Sequence, residues 1–546
     1  MVAKLSSLVL AATLLFRVHA QENPGSPGSA TLVENLDPTQ LFFHRLAVRR
    51  FIFSNNLPLS ELVPAEIVAQ PSMHPAFALG TNASPDNAAR PESVGGNLVL
   101  AGKDTTLYVG GVNPYATYEL DVRAITGPAE VAVDLATLGL GRRVQIFAGT
   151  NGVALRLVRE GKVEREQWFT AAVPQSPFLL RVQLWGTQIA VFITKNGESK
   201  YLGHTDGKDD FKSFADFRNR KFAAECTFNV TTRLPAGSQV TLAGARAYLS
   251  AGVGQADIRM ITHKDGSPYF EANRLWFTFS VRGVGARQSA QGVMSLDPSV
   301  FDLKFEGVIA YDHGDGLLRN DFASHIIYDD DAQEWYAVAC DFGGVAGREG
   351  RGSSGLIVAR SNHDPRRGFS VMSNARQLTG IEQMHEDPCL VFDANAKKWR
   401  LATCCLNGFH TELFESDQWN GPFTKIAGPT KEDSTGVLIQ KIGNHRYVFS
   451  GNSTGPMLIY SYPELKFLGN LNIDLPAHWP NGPGRGWPDV FPLPPGFPYR
   501  YMALMMDRPN FPGVKGPNWS YGALYLFGAP TDDIINLPYE YPIDGM

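Results

Sequence analysis

Cysteine is scarce in this 546-residue chain, and its few positions suit no metal finger. The five are Cys226, Cys340, Cys389, Cys404 and Cys405, and no spacing among them matches a zinc site. An odd count leaves at least one free thiol. Cys389 and the Cys404-Cys405 pair flank one hairpin, so the sequence leaves two options open there: a bridge, or buried thiols packed as small hydrophobes. Excess charge is lacking too. The formal net charge is -5, which argues against a nucleic-acid polyanion as partner. No apolar run is long enough to span a bilayer, so no membrane partner is expected. No long helical periodicity appears either. Glycine (54) and proline (36) are plentiful instead, as suits a turn-rich all-β chain.

The chain opens like a secretory leader. Lys4 gives the positive start, Leu5 to Phe16 a short apolar core, and Val18-His19-Ala20 a small residue before Gln21. Secretion to the extracellular space is therefore expected, with 1–20 as signal peptide. Sequons at Asn82, Asn229, Asn452 and Asn518 add weak support and would make a glycoprotein. Residues 21–96 read as a linker and an irregular segment, beginning with Glu22-Asn-Pro-Gly-Ser-Pro-Gly-Ser.

From Leu98 to Ser250 period-two alternation is clear. Thr117-Tyr-Glu-Leu-Asp-Val-Arg, Val144-Gln-Ile-Phe-Ala, Val153-Ala-Leu-Arg-Leu-Val, Phe178-Leu-Leu-Arg-Val-Gln-Leu-Trp and Ile189-Ala-Val-Phe-Ile carry it. Thr150-Asn-Gly and Lys195-Asn-Gly supply turns. The pattern predicts a β-sandwich over 97–252. The phrase from Leu180 to Gly197 resembles the back-strand hairpin of concanavalin-like, laminin-G-type sandwiches. Such modules bind sugar or brace a catalytic neighbour.

The second half repeats itself. An acid opens an apolar strand five times, at Asp257, Asp321, Glu386-Asp387, Asp433 and Asp489. The acids 257, 321, 387, 433 and 489 are 64, 66, 46 and 56 residues apart. Each is followed by a turn and an aromatic-rich strand: Leu275-Trp-Phe-Thr-Phe, Trp335-Tyr-Ala-Val-Ala, Trp399-Arg-Leu-Ala-Thr, Tyr447-Val-Phe-Ser and Tyr501-Met-Ala-Leu-Met. A repeated unit of short strands predicts a propeller, here five blades over 253–546. With each blade's first strand nearest the axis, the acids are expected at one channel mouth. Any one of them could merely cap a turn; five in register suggest more. Arg259, Arg319, His325, His385 and Trp487 lie close to them in sequence and, with Asp433 and Asp489, are candidate substrate contacts. Trp519 could stack on a sugar face, whereas Trp335 and Trp399, being mid-strand, read as packing.

On these residues the second half resembles the five-bladed propeller glycosidases: arabinanases, arabinofuranosidases, invertases and levansucrases. The resemblance implies three carboxylates from successive inner strands. Asp257 falls at their base or nucleophile, and Asp321, within Arg319-Asn-Asp321, at the residue that orients substrate. Glu386, within Glu386-Asp387-Pro388-Cys389-Leu390, falls at their general acid, with Asp387 competing for that role. The Asn-Asp-Pro-Asn-Gly of such enzymes is missing from the first blade. The resemblance implies hydrolysis of a polysaccharide or oligosaccharide, a furanoside such as arabinan foremost, without cofactor; a structural calcium ion is compatible with it. Two alternatives share the scaffold. One is a polysaccharide lyase or histidine-dependent glycosidase using His325, His385 and Arg319. The other is a non-catalytic glycan-binding protein. Sugar, linkage, stereochemistry and oligomeric state are not legible in the sequence.

Overall fold

The computed structural model describes residues 36–59, 80–81, 92–94, 96–172, 174–205, 209–284, 288–343, 354–476, 486–494, 496–509 and 522–530. The expected leader, Asn82, Asn518 and Trp519 lie outside them. The described chain is nearly all β, with two short helices at Asp209–Phe214 and Arg220–Ala224.

Two large sheets occupy the first half. One runs, in spatial order, through Lys162–Thr170, Gly152–Arg159, Arg142–Gly149, Glu130–Thr137, Cys226–Arg233, Thr105–Gly111 and Gly80–Thr81. The other runs through Glu198–His204, Ile189–Lys195, Phe178–Leu184, Thr117–Thr126, Gln239–Leu249, Asn97–Ala101 and Glu92–Val94. The alternating residues of 117–193 form strands where the pattern places them. Lys195-Asn-Gly closes its hairpin with Asn196 and Gly197 both at positive φ (52° and 80°), the twist a two-residue hairpin turn needs.

Five further sheets, here the small sheets, follow, each built on an antiparallel run of strands; the first adds Gly368–Ser373, parallel to Asp302–Asp312, and the second Thr262–His263, parallel to Phe322–Asp329. The first holds Gly254–Met260, Arg274–Arg282, Ser289–Asp297 and Asp302–Asp312. The second holds Phe322–Asp329, Glu334–Cys340, Leu356–Ser361 and Arg376–Gln377. The third holds His385–Asp393, Lys398–Cys405, His410–Ser416 and Thr424–Ala427, and the fourth Thr435–Ile442, His445–Gly451, Met457–Ser461 and Phe467–Asn470. The fifth holds Asp489–Pro492, Tyr501–Met506 and Leu524–Ala529. The first strands of the five lie against one another in a closed cycle, the fifth returning to the first.

The fifth sheet gains its outer strand from the other end of the chain. Phe42–Arg49 pairs antiparallel with Leu524–Ala529, and parallel with Asn472–Ile473. This corrects the reading of 21–96 as irregular, and means that a unit cut at 253 lacks one of its strands. The segment gives little signal because it is a sheet edge: only Phe43 is fully buried and most of its neighbours face solvent.

The two halves share one hydrophobic core, from Leu120 and Val133 through Ile258 and Phe277. Polar contacts tie them beside the second small sheet. Tyr115 donates its hydroxyl to the Leu318 carbonyl (2.6 Å), and Arg218 donates to the Gly343 carbonyl (3.3 Å). All five cysteines are free and buried, which decides against the Cys389 bridge. Cys389 accepts the Ile439 amide at 3.3 Å and Cys405 donates to Gln383. Asn229 is also buried, its amide bonded to Thr227, so this sequon has no room for a glycan in the folded chain.

Candidate active site

The first four small sheets break their ladders at the same place. The pairing slips between Ala256 and Arg259, Phe322 and His325, Glu386 and Cys389, and Thr435 and Leu438. The residue at positive φ in these bulges is Asp257 (52°), Ala323 (53°), Asp387 (60°) and Gly436 (65°). A bulge turns one side chain out of the ladder and towards the strand end. So Asp257 and Asp387 are structural equivalents, whereas Asp321 stands two residues before its bulge and Asp433 three before its own. The five acids are therefore not one ring.

Asp257 is buried and ion-pairs with Arg282 (3.0 Å), while the Ser280 hydroxyl donates to the same oxygen at 2.5 Å. Asp387 accepts the Gly436 amide at 2.9 Å, and its own amide donates to the Cys340 sulfur at 3.3 Å. Burial, then the negative charge of Asp257, pushes the Asp387 carboxyl up to about 7, against the pull of the Gly436 amide, Arg259 and Arg508. Burial raises Cys340 well above the usual thiol range, with Asp387, Glu386 and Asp257 adding to it. Glu386 is half-buried, and its carbonyl accepts from Thr403.

Asp489 belongs to the layer below. It is wholly buried, and burial lifts its carboxyl to about 7 while Arg259 and the Met260 amide oppose. Its counterparts in other sheets reach to the next strand: His325 Nδ1 accepts the Leu390 amide (3.0 Å) and Cys389 accepts that of Ile439, whereas the Met260 amide approaches Asp489 without closing a hydrogen bond, and neither carboxylate oxygen has a partner among the described residues. His325 meets Thr262 through Nε2 at 3.1 Å. An amide on Nδ1 makes that nitrogen an acceptor, so Nε2 carries the proton. Burial and Arg259 hold the ring well below its usual range, neutral. Both ring nitrogens are engaged, leaving none for a sugar. Arg259 is buried, and its Nη1 and Nη2 have no hydrogen-bond partner among the described residues; the guanidinium lies 5.2 Å from the Trp487 ring. Trp487 is itself buried against Gly436, where an added Cβ would come within 2.9 Å of the indole. It is too covered to stack on a sugar.

Asp321 heads a second group. It is wholly buried, 3.0 Å from His313 Nε2, and accepts the Gly343 amide at 2.6 Å. Burial raises its carboxyl, opposed by His313 and reinforced by Asp341. The Arg282 guanidinium, which holds Asp257, lies 5.4 Å from the ring of Phe322, the residue after Asp321. The remaining sequence candidates are engaged elsewhere. Arg319 forms a two-pronged pair with Asp315 (2.8 and 2.5 Å). His385 meets the Gln383 carbonyl (2.8 Å) and Glu412 (3.1 Å) within the third sheet. Asp433 accepts Asn452 through its carbonyl.

Ser280, Arg282, Cys340, His313 and Asp341 escaped the sequence reading. A signal existed for three of them. If a first strand starts at the mouth, the second strand of its hairpin ends there, and Ser280, Arg282 and Cys340 are such strand ends. Two clefts, of about 580 and 460 Å³, are lined by residues such as Glu334 and Trp419, and Asp265 and Arg446, not by these carboxylates.

No known family profile matches the chain, and no curated protein is similar in sequence. Among solved structures it is similar to the catalytic domain of the Coprinopsis cinerea GH62 α-L-arabinofuranosidase, with 10% identity over 50% of this chain and 90% of that one, TM-score 0.34. It is similar to a thermostable family-43 glycoside hydrolase, with 13% identity over 53% of this chain and 96% of that one, TM-score 0.34. The Streptococcus pneumoniae NanB sialidase aligns over 79% of this chain and 88% of its own, with 8% identity and TM-score 0.31. Likeness at this level leaves activity to be argued from the site.

Proposed function

We propose that the chain is a secreted glycoside hydrolase, with the five small sheets as propeller blades and the two large sheets as a β-sandwich bracing them. The observation that carries the reading is the pair of bulge carboxylates. Asp257 is held by the Arg282 guanidinium, and Asp387 is raised to about 7 by burial and by the charge of Asp257. Glycoside hydrolysis needs such a pair: one carboxyl to protonate the leaving oxygen, one carboxylate to act as base or nucleophile. Asp387 is the general acid and Asp257 the base or nucleophile. This moves the acid one residue along from Glu386, because Asp387 is the equivalent of Asp257. Asp321 keeps its role as an orienting residue through its neighbours. The substrate is a plant or microbial glycan; preference for a furanoside rests on the sequence resemblance alone. The lyase reading loses support because His325, His385 and Arg319 all have protein partners.

A glycan panel assayed for new reducing ends tests the proposal. Asp257→Asn and Asp387→Asn should each slow turnover by about a hundredfold or more, as loss of acid–base catalysis does. Glu386→Gln should stay within about tenfold of wild type on the same scale. Near-wild-type rates in Asp387→Asn would overturn the acid assignment. Unsaturated, ultraviolet-absorbing products would point to a lyase, and binding without turnover to a lectin.

A further inference from the structure

Beside the bulge pair, three side chains that the glycosidase chemistry does not need as a set converge. His313 follows the strand Asp302–Asp312, Asp321 precedes Phe322–Asp329, and Asp341 follows Glu334–Cys340. One ligand atom from each lies within 4.8 Å of the other two. We propose that His313, Asp321 and Asp341 bind one divalent first-row cation, Zn²⁺ or Mn²⁺, at the mouth end of the second small sheet.

Charge supports it first. Asp321 and Asp341 are both essentially inaccessible to water, and buried carboxylates are found paired with a counter-charge or holding a metal. The neighbouring guanidinium groups are committed elsewhere: Arg319 to Asp315 and Arg218 to Asp216.

Orientation supports it next. Metal ligands are normally aimed by hydrogen bonds from outside the set. The Gly343 amide takes Asp321 Oδ1 (2.6 Å), leaving Oδ2 facing His313. The Gln377 amide takes Asp341 Oδ2 (2.6 Å), leaving Oδ1. Gly343 is in turn held by Arg218 from the first half of the chain. Ligand atoms about 2.1 Å from one ion sit roughly 3 to 4.2 Å apart; the His313–Asp321 pair at 3.0 Å meets that spacing, and the 4.8 Å bound on the three needs only a small closing movement. The donor set chooses the metal: one imidazole nitrogen with two carboxylates suits a borderline ion, whereas calcium prefers six to eight oxygens. Such a site would fasten the strand end carrying Asp321 to the end carrying Asp341.

This goes beyond the glycosidase reading, and its test reads bound metal rather than turnover, so the two can fail separately. The full-length protein is stripped with a chelator, then equilibrated with Zn²⁺, Mn²⁺ or Ca²⁺ alone. Bound metal is counted by elemental analysis after gel filtration, and affinity is measured by calorimetry. One equivalent of Zn²⁺ or Mn²⁺ is expected, with affinity at least tenfold weaker in Asp341→Asn and in His313→Ala. His313 is partly exposed, so His313→Ala carries the test should Asp341→Asn fail to fold. No retained metal, retention of calcium alone, or unchanged affinity in His313→Ala would overturn the proposal.

Discussion

Asp387 combines two costs at one position. A side chain other than glycine at φ of 60° stores roughly 1–3 kcal/mol of strain, and its carboxyl is buried. Asp257 repeats the backbone geometry at the equivalent bulge. Ala323 holds the same positive φ at its own bulge, so the backbone geometry belongs to the repeat, and the buried carboxylates are what Asp257 and Asp387 add to it. The raised carboxyl sets the sign of the pH profile. With Asp387 near 7 as the acid, kcat/KM should fall as pH rises past about 7, and Asp387→Asn should abolish that limb; a wild-type rate still rising towards pH 9 would exclude this acid. A stability measurement separates function from fold. Asparagine tolerates positive φ and can still accept the Gly436 amide, without burying a charge. Asp387→Asn should therefore melt no lower than wild type at pH 8 by calorimetry, while losing turnover. A marked fall in Tm would make the residue structural.

Strands and turns divide sharply in what the sequence reveals. The aromatic second strands Trp335-Tyr-Ala-Val-Ala and Trp399-Arg-Leu-Ala-Thr were legible because both faces are buried between neighbouring sheets, giving near-continuous apolar runs. The repeat's acids were legible too, but their register was not. A bulge adds a residue without changing composition, so Asp321 looks aligned with Asp257 although the bulge residue is Ala323. Partners such as Arg282 arrive through hairpin pairing that no local pattern encodes. Least legible was Phe42–Arg49, an edge strand whose partner lies at the far end of the chain. Phe43, fully buried among residues of the fourth and fifth small sheets, anchors it. Phe43→Ala should cost about 3–5 kcal/mol, as large core truncations do, read by urea denaturation. A fragment beginning at 253 should fail to reach the melting temperature of the full chain, because its fifth sheet would expose the edge that this strand covers. A fragment as stable as the whole would show the strand to be dispensable.

At the scale of the whole molecule, buried acids make stability depend on pH in an unusual direction. Asp387 and Asp489 are raised from 3.8 to about 7, so between about 4 and 7 the folded chain binds more protons than the unfolded one. Stability then falls as pH climbs through that window, is fully present below about 4 as far as these two groups are concerned, and levels off above 7. His325, held well below its usual range of 6.5, works the other way: its contribution is present above that value and is lost as pH drops beneath it. The two signs oppose each other below 6.5, so a single wild-type curve mixes them. Comparison with Asp489→Asn isolates one. The amide has no charge to bury and leaves His325 untouched. Urea denaturation at pH 5 and pH 8 should show wild type losing more stability across the interval than the variant, with the variant gaining chiefly at the alkaline end. Equal losses in the two proteins would mean that Asp489 is ionised throughout, its charge met by Arg259, whose Nη1 and Nη2 have no hydrogen-bond partner among the described residues.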